Sequence, residues 1–192
     1  MNPLEIIGFL FGIAGVWLTI KEHWWCFPVG LVNVTVSLFL FFDQRLYSDA
    51  VQQAVYILLL SYGWYQWKYN TLVKRPEIGF MNGVMKVSML IFLITLSFSM
   101  GYLFDKYTDA DVPYLDSSAT ALSFIAQFLI ARKKMENWLI WMVVNVMYIG
   151  IYSYKELYLY VLLFAVYLAL SVKGYISWKA LMNKQKQTEA YV

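Results

Sequence analysis

The 192-residue chain is 61% hydrophobic and 19% aromatic, with only 14% charged residues. A soluble domain carries nearer a quarter, and the apolar surplus suffices for several membrane spans of about 20 residues each. The net charge of +3 is spread through short gaps between apolar runs, which excludes the clustered basic surface of a nucleic-acid binder. Cys26 and His23 are the only residues of their kinds. One cysteine permits no intrachain disulfide and no thiolate cluster, so neither a metal centre, a catalytic set nor a cofactor site is expected.

Taken in chain order, apolar runs span 4–20, 25–42, 47–67, 84–104, 114–131, 137–153 and 157–178, each long enough to cross ~30 Å of hydrocarbon with some tilt. Met1 to Glu5 lacks the basic start of a cleavable signal, so the first run is expected to be a retained helix. Charged or turn residues break the runs at Lys21-Glu22-His23, Asp43-Gln44-Arg45, Lys74-Arg75-Pro76, Asp109-Ala110-Asp111, Arg132-Lys133-Lys134 and Lys155-Glu156. Alternate gaps then collect twelve Lys and Arg on one side and three (Arg45, Lys106, Lys155) on the other. The positive-inside rule makes the rich side cytoplasmic, with the N-terminus outside and the C-terminus inside. All eight tryptophans fall toward the cytoplasmic ends, where an interfacial belt accounts for Trp24, Trp67 and Trp178.

The chain also repeats. Residues 46–67 match 157–178 at a shift of 111: Ala54-Val55-Tyr56 meets Ala165-Val166-Tyr167, Gly63 meets Gly174, and Trp67 meets Trp178. At a shift of 112, Asn33-Val34 meets Asn145-Val146 and Ile13-Ala14 meets Ile125-Ala126. The expected organisation is one membrane domain over 1–192: a three-helix repeat at 4–67, a linking helix at 84–104, a second repeat at 114–178, and a cytoplasmic tail from 179 to 192. The extra helix makes the halves insert in the same direction, as in the SWEET carriers, with a substrate site between them near mid-bilayer.

Polar residues within the spans point to that site. On helix 6, Trp138, Trp141, Asn145, Tyr148 and Tyr152 share one face at spacings of three and four. Asn145 lies roughly 12 Å from the helix start, and Asn33 sits at a similar depth in helix 2. Helix 5 carries Asp116, Thr120, Ser123 and Gln127 on a shared stripe; helix 3 carries Asp49, Gln52, Gln53 and Tyr56; helix 7 carries Tyr160, Phe164, Tyr167 and Ser171. Unpaired amides in hydrocarbon are costly, so these groups face one another as interhelical glue or face a wet cavity. A chamber of rings and amide edges suits a flat heterocycle, a cationic one above all. Asp49 and Asp116 near the outer rim either attract a cation or complement the helix dipole.

Several runs resemble the nicotinamide riboside transporter (PnuC) family. In the first half these are Gly30-Leu31-Val32-Asn33-Val34-Thr35, Leu46-Tyr47-Ser48-Asp49-Ala50 with Gln53, and Tyr62-Gly63-Trp64-Tyr65-Gln66-Trp67. Leu115-Asp116-Ser117, Ala126-Gln127, the Glu136-Asn137-Trp138 to Trp141 to Asn145 run and Leu157-Tyr158 resemble its second half. The resemblance implies an all-α 3+1+3 fold of the SWEET type, assembled as a homotrimer in a bacterial inner membrane. It implies a facilitated-diffusion carrier, not an enzyme, for an unphosphorylated B-vitamin (nicotinamide riboside, thiamine or, in some branches, riboflavin) trapped by a cytosolic kinase. By matching motif, Asn33, Gln53, Gln127, Trp138, Trp141 and Asn145 would be substrate contacts; helical spacing adds Tyr56, Tyr148 and Tyr152. Some nicotinamide riboside carriers have a segment before the first repeat helix. The short form here resembles members assigned to thiamine (PnuT-like). A non-transporting receptor or docking subunit is the rival reading.

Overall fold

The computed structural model describes residues 3–43, 47–69, 77–108 and 111–190. The breaks expected at Gln44-Arg45, Lys74-Arg75-Pro76 and Asp109-Ala110, and the repeat position Leu46, lie outside the described residues. Seven α-helices fill the rest: α1 Pro3–Ile20, α2 Cys26–Asp43, α3 Tyr47–Trp64, α4 Gly83–Tyr107, α5 Pro113–Ala131, α6 Glu136–Tyr154 and α7 Tyr158–Ala190. Proline opens α1 and α5, where a missing N–H costs nothing. Asn82 caps α4 by accepting the Met85 amide. Four helices (α2, α4, α5 and α7) are long and apolar enough to span a bilayer on composition alone. The polar residues of α3 and α6 are sheltered by neighbours instead.

The helices α1, α2, α3, α5, α6 and α7 form a closed ring, each packed on the next, with α7 returning to α1; α4 packs on α5 outside it. This explains why α5 is the most buried helix, while α4 turns an apolar face outward. Gly101 lets Tyr114 lie flush against α4. The carboxyl ends of α1 and α5 lie beside the carboxyl-terminal halves of α7 and α3, because the Trp178 indole donates to Thr19 O at 3.0 Å and the Trp67 indole to Ala131 O at 3.2 Å. So α1, α3, α5 and α7 run in one direction.

The α1–α2 and α5–α6 turns share one hydrogen-bond pattern. Amides 21, 22, 23, 26 and 27 donate to carbonyls 17, 19, 18, 23 and 24, and amides 132, 133, 134, 137 and 138 donate to carbonyls 128, 130, 129, 134 and 135. Both turns pass through a left-handed residue, Glu22 (φ 57°) and Lys133 (φ 50°). The correspondence is 111 throughout, which corrects the shift of 112 expected for the first two helices. In this register Asn33 corresponds to Val144 and Asn145 to Val34, so the two asparagines occupy adjacent rather than equivalent positions.

Two further differences concern helix ends. A π-helical turn, Tyr65–Tyr69, finishes α3 and carries Trp67 into the core. The expected tail from 179 instead continues α7 to Ala190, with Met182 buried and Leu181 packed on the core.

Candidate functional site

A cavity of about 250 Å³ lies inside the ring. Glycines make room for it on one wall. Gly12 and Gly15 on α1 and Gly30 on α2 border the cavity, and a Cβ on Gly12 would collide with the Tyr167 hydroxyl. The close approach also lets the Asn33 Nδ2–H reach across and donate to Gly8 O on α1, the small-residue packing that membrane helices favour.

Of the nine expected contacts, Asn33, Gln53, Tyr56, Gln127, Trp138, Trp141 and Asn145 border the cavity. Tyr56 donates to Ser123 Oγ at 2.6 Å, and Ser123 donates in turn to Thr120 O at 2.7 Å, which ties α3 to α5. Asn145 Nδ2 donates to Ser171 Oγ at 3.2 Å, and Ser171 to Tyr167 O at 2.8 Å. The Asn145 amide plane is therefore set before any ligand arrives. Trp138 is fully buried, its ring seated on Gly174, and its indole N–H has no hydrogen-bond partner among the described residues. Leaving a buried donor unpaired costs about 1–3 kcal/mol, so a ligand acceptor reaching it would be favoured.

Tyr148 and Tyr152 do not border the cavity. They stack on each other (5.9 Å between ring centres) and on Phe164, at 4.8 and 5.4 Å, while Tyr152 also stacks on Tyr160 at 5.0 Å. Because Phe164 is itself a wall of the cavity, the ladder runs from the cavity toward the start of α7. Asp49, Asp116 and Lys155 stand at that same end, within electrostatic range of one another.

Trp67 and Trp178 are not belt residues. Both are buried at the other end of the cavity, 6.2 Å apart. Trp24 keeps an interfacial character, half-buried under the Lys68 ammonium at 4.0 Å. The expected contacts did not include Gly12, Gly15, Gly30, Tyr167 or Ser171. The last two stood in the polar stripe of helix 7; Gly12 and Gly15 had only their spacing with Gly8 on α1 as a signal, and Gly30 opened the Gly30–Thr35 run quoted above. The described lining carries no charged side chain, and no group of three metal-ligating residues occurs among the described residues.

A model of the nicotinamide mononucleotide transporter family matches residues 2–180. The chain is 23% identical over 204 residues to the nicotinamide riboside transporter PnuC of Escherichia coli (strain K12), covering 93% of this chain and 85% of that one. It is 25% identical over 145 residues to the riboflavin/roseoflavin transporter RibM of Streptomyces davaonensis, covering 73% and 68% respectively. The crystal structure of the vitamin B3 transporter PnuC superposes with a TM-score of 0.75 at 20% identity, covering 95% of this chain and 84% of that one. A ring of membrane helices around a chamber of amides and aromatic rings, matched over residues 2–180 by the family model and over 93% of the chain by the Escherichia coli PnuC, makes this chain a membrane transporter, not an enzyme, and a member of the PnuC family.

Proposed function

We propose that the protein is a facilitated-diffusion uptake carrier for an unphosphorylated B-vitamin with a cationic heterocycle, nicotinamide riboside or thiamine. The carrying observation is the composition of the cavity wall: four carboxamides (Asn33, Gln53, Gln127, Asn145) and seven aromatic rings, Tyr56, Trp138 and Trp141 among them, with no charged side chain in the described lining. A cationic ring is held by aromatic faces, and ribose hydroxyls or a pyrimidine edge by amides. A phosphate would enter with no countercharge, at a prohibitive desolvation cost. The reading therefore excludes nicotinamide mononucleotide as substrate, although the family model bears its name. A volume of about 250 Å³ sits just below the ~300 Å³ at which ligand pockets usually begin, a size for a compact ligand.

In this reading the two halves are parallel repeats of the SWEET type around the vitamin, with α4 as the linker. The side rich in Lys and Arg is cytoplasmic in a bacterial inner membrane, so the N-terminus is outside. The ladder of Tyr148, Tyr152 and Phe164 lines the outer access route, with Asp49 and Asp116 drawing a cation to it. The carrier works as a homotrimer, and a cytosolic kinase traps the product. Riboflavin is the second reading, favoured by the likeness to RibM; its three fused rings need a longer slot.

Sealed liposomes test the reading. Radiolabelled nicotinamide riboside or thiamine is expected to equilibrate across the membrane with no ion gradient, and to accumulate only when the matching kinase and ATP are enclosed. Accumulation above the outside level in kinase-free liposomes under an imposed ion gradient would show ion coupling instead, and no uptake by protein that binds the vitamin would leave a receptor.

A further inference from the structure

The end of the bundle opposite the tyrosine ladder carries a second polar arrangement that vitamin binding does not use. Four buried rings close the cavity there. Phe27 meets Trp67 edge-on at 5.0 Å, Trp138 meets Trp178 edge-on at 5.4 Å, and Trp67 meets Trp178 at 6.2 Å. Phe27 and Trp138 border the cavity directly. The pairs are equivalent at the shift of 111, and equivalent residues from two halves touch each other only at the axis relating them. The ring cluster therefore plugs that axis.

The plug is latched by reciprocal bonds between the halves. Each central indole donates to a carbonyl near the carboxyl end of the opposite half's first helix: Trp67 to Ala131 O, and Trp178 to Thr19 O. Such helix-end carbonyls lack partners within their own helix, and Thr19 O takes the indole alongside the Glu22 amide of the turn. Beside them Glu22 forms an ion pair with Lys133, again joining equivalent positions, and the Lys133 ammonium stands 4.7 Å over the Trp67 ring. Both residues of the pair hold the left-handed backbone conformation in which helices commonly end, which places them at equivalent points of the two turns.

We propose that Trp67, Trp178, Glu22 and Lys133 form a gate across the axis, closed in this structure, and that the vitamin leaves on this side only when the two halves part there. The inference rests on the carrier reading above. Buried Ile20, Ile130, Met135 and Met182 pack around these rings, but the indole bonds and the ion pair are what join the halves, so separating α1 from α7 and α3 from α5 breaks all three together, a two-state change.

The test is a cross-link between Glu22→Cys and Lys133→Cys, made in liposomes with a short bis-methanethiosulfonate reagent that forms a reducible disulfide to each thiol across the span of the two lost side chains, with each single-cysteine variant treated alike to account for Cys26. Radiolabelled nicotinamide riboside and thiamine are run in parallel. The cross-linked protein is expected to keep vitamin binding but to lose uptake by about tenfold or more, and reductant is expected to restore uptake. Complete cross-linking with undiminished uptake would overturn the gate. A variant pair gives an independent reading: Lys133→Glu is expected to change the uptake rate, and Glu22→Lys added to it to return that rate toward the native one. A well-folded Lys133→Glu protein with native uptake would likewise overturn the proposal. Failure of the carrier reading would show separately, as wild-type protein that moves neither vitamin.

Discussion

At the residue scale, Trp138 and Trp141 lie one turn apart on α6 yet carry different loads. Trp138 is wedged on Gly174 and against Trp178, whereas Trp141 is half-buried at the cavity wall. Removing the Trp141 ring is expected to weaken vitamin binding by about tenfold, or ~1.4 kcal/mol, and to leave the melting temperature nearly unchanged. Trp138→Ala removes packing as well and is expected to destabilise by about 3–5 kcal/mol. Calorimetry beside thermal unfolding separates the two; unchanged affinity in Trp141→Ala would make that ring a wall and not a contact. Asn145→Leu keeps the volume but deletes the bond to Ser171 and the amide edge, and binding is expected to vanish in a protein that still folds and inserts. These amides were readable from the chain because an asparagine or glutamine deep in an apolar run is rare and costly. Their partners were not: Gly8, Ser171 and the unpaired Trp138 N–H depend on how helices meet.

At the element scale, glycine placement decides which helices touch. A Cβ on Gly174 would run into the Trp138 ring, and one on Gly63 into Phe27, whereas one on Gly150 meets nothing within 4 Å. Gly174→Ala is therefore expected to lower the melting temperature, while Gly150→Ala, which only removes backbone freedom from a helix, is expected to stabilise by about 0.5–1 kcal/mol. A lower melting temperature in Gly150→Ala would show a contact on that face. Helix positions followed from apolar runs broken by charges: all seven start within a residue of expectation, and six end within a few residues, α7 alone running on to Ala190. The departures have physical reasons. Residues 179–190 are polar enough to read as a solvated tail, yet Met182 still has core to pack against. Trp67 and Trp178 read as interfacial because depth along a helix does not distinguish a lipid-facing rim from a central axis. The apparent register of 112 came from chance identities; backbone hydrogen bonds, absent from sequence, set it at 111.

At the scale of the whole molecule, a nearly symmetric frame holds an asymmetric chamber. Asn33 and Asn145 enter from adjacent positions of corresponding helices and bond different partners, Gly8 and Ser171. In the proposed carrier reading, these unequal contacts would orient an asymmetric vitamin. The apolar face of α4, with Val84, Val87, Ile91 and Phe98 exposed, turns outward; for the proposed homotrimer, light scattering of detergent-solubilised protein is expected to give three copies of the 22.5 kDa chain, and a monomer mass would remove the trimer. The central claim is that an uncharged chamber of amides and rings selects an unphosphorylated, cationic vitamin. Titration calorimetry of the purified protein with nicotinamide riboside, nicotinamide mononucleotide, thiamine and riboflavin tests it most directly. The account predicts saturable binding of nicotinamide riboside or thiamine and none of the mononucleotide; mononucleotide binding as tight as that of the riboside would contradict it.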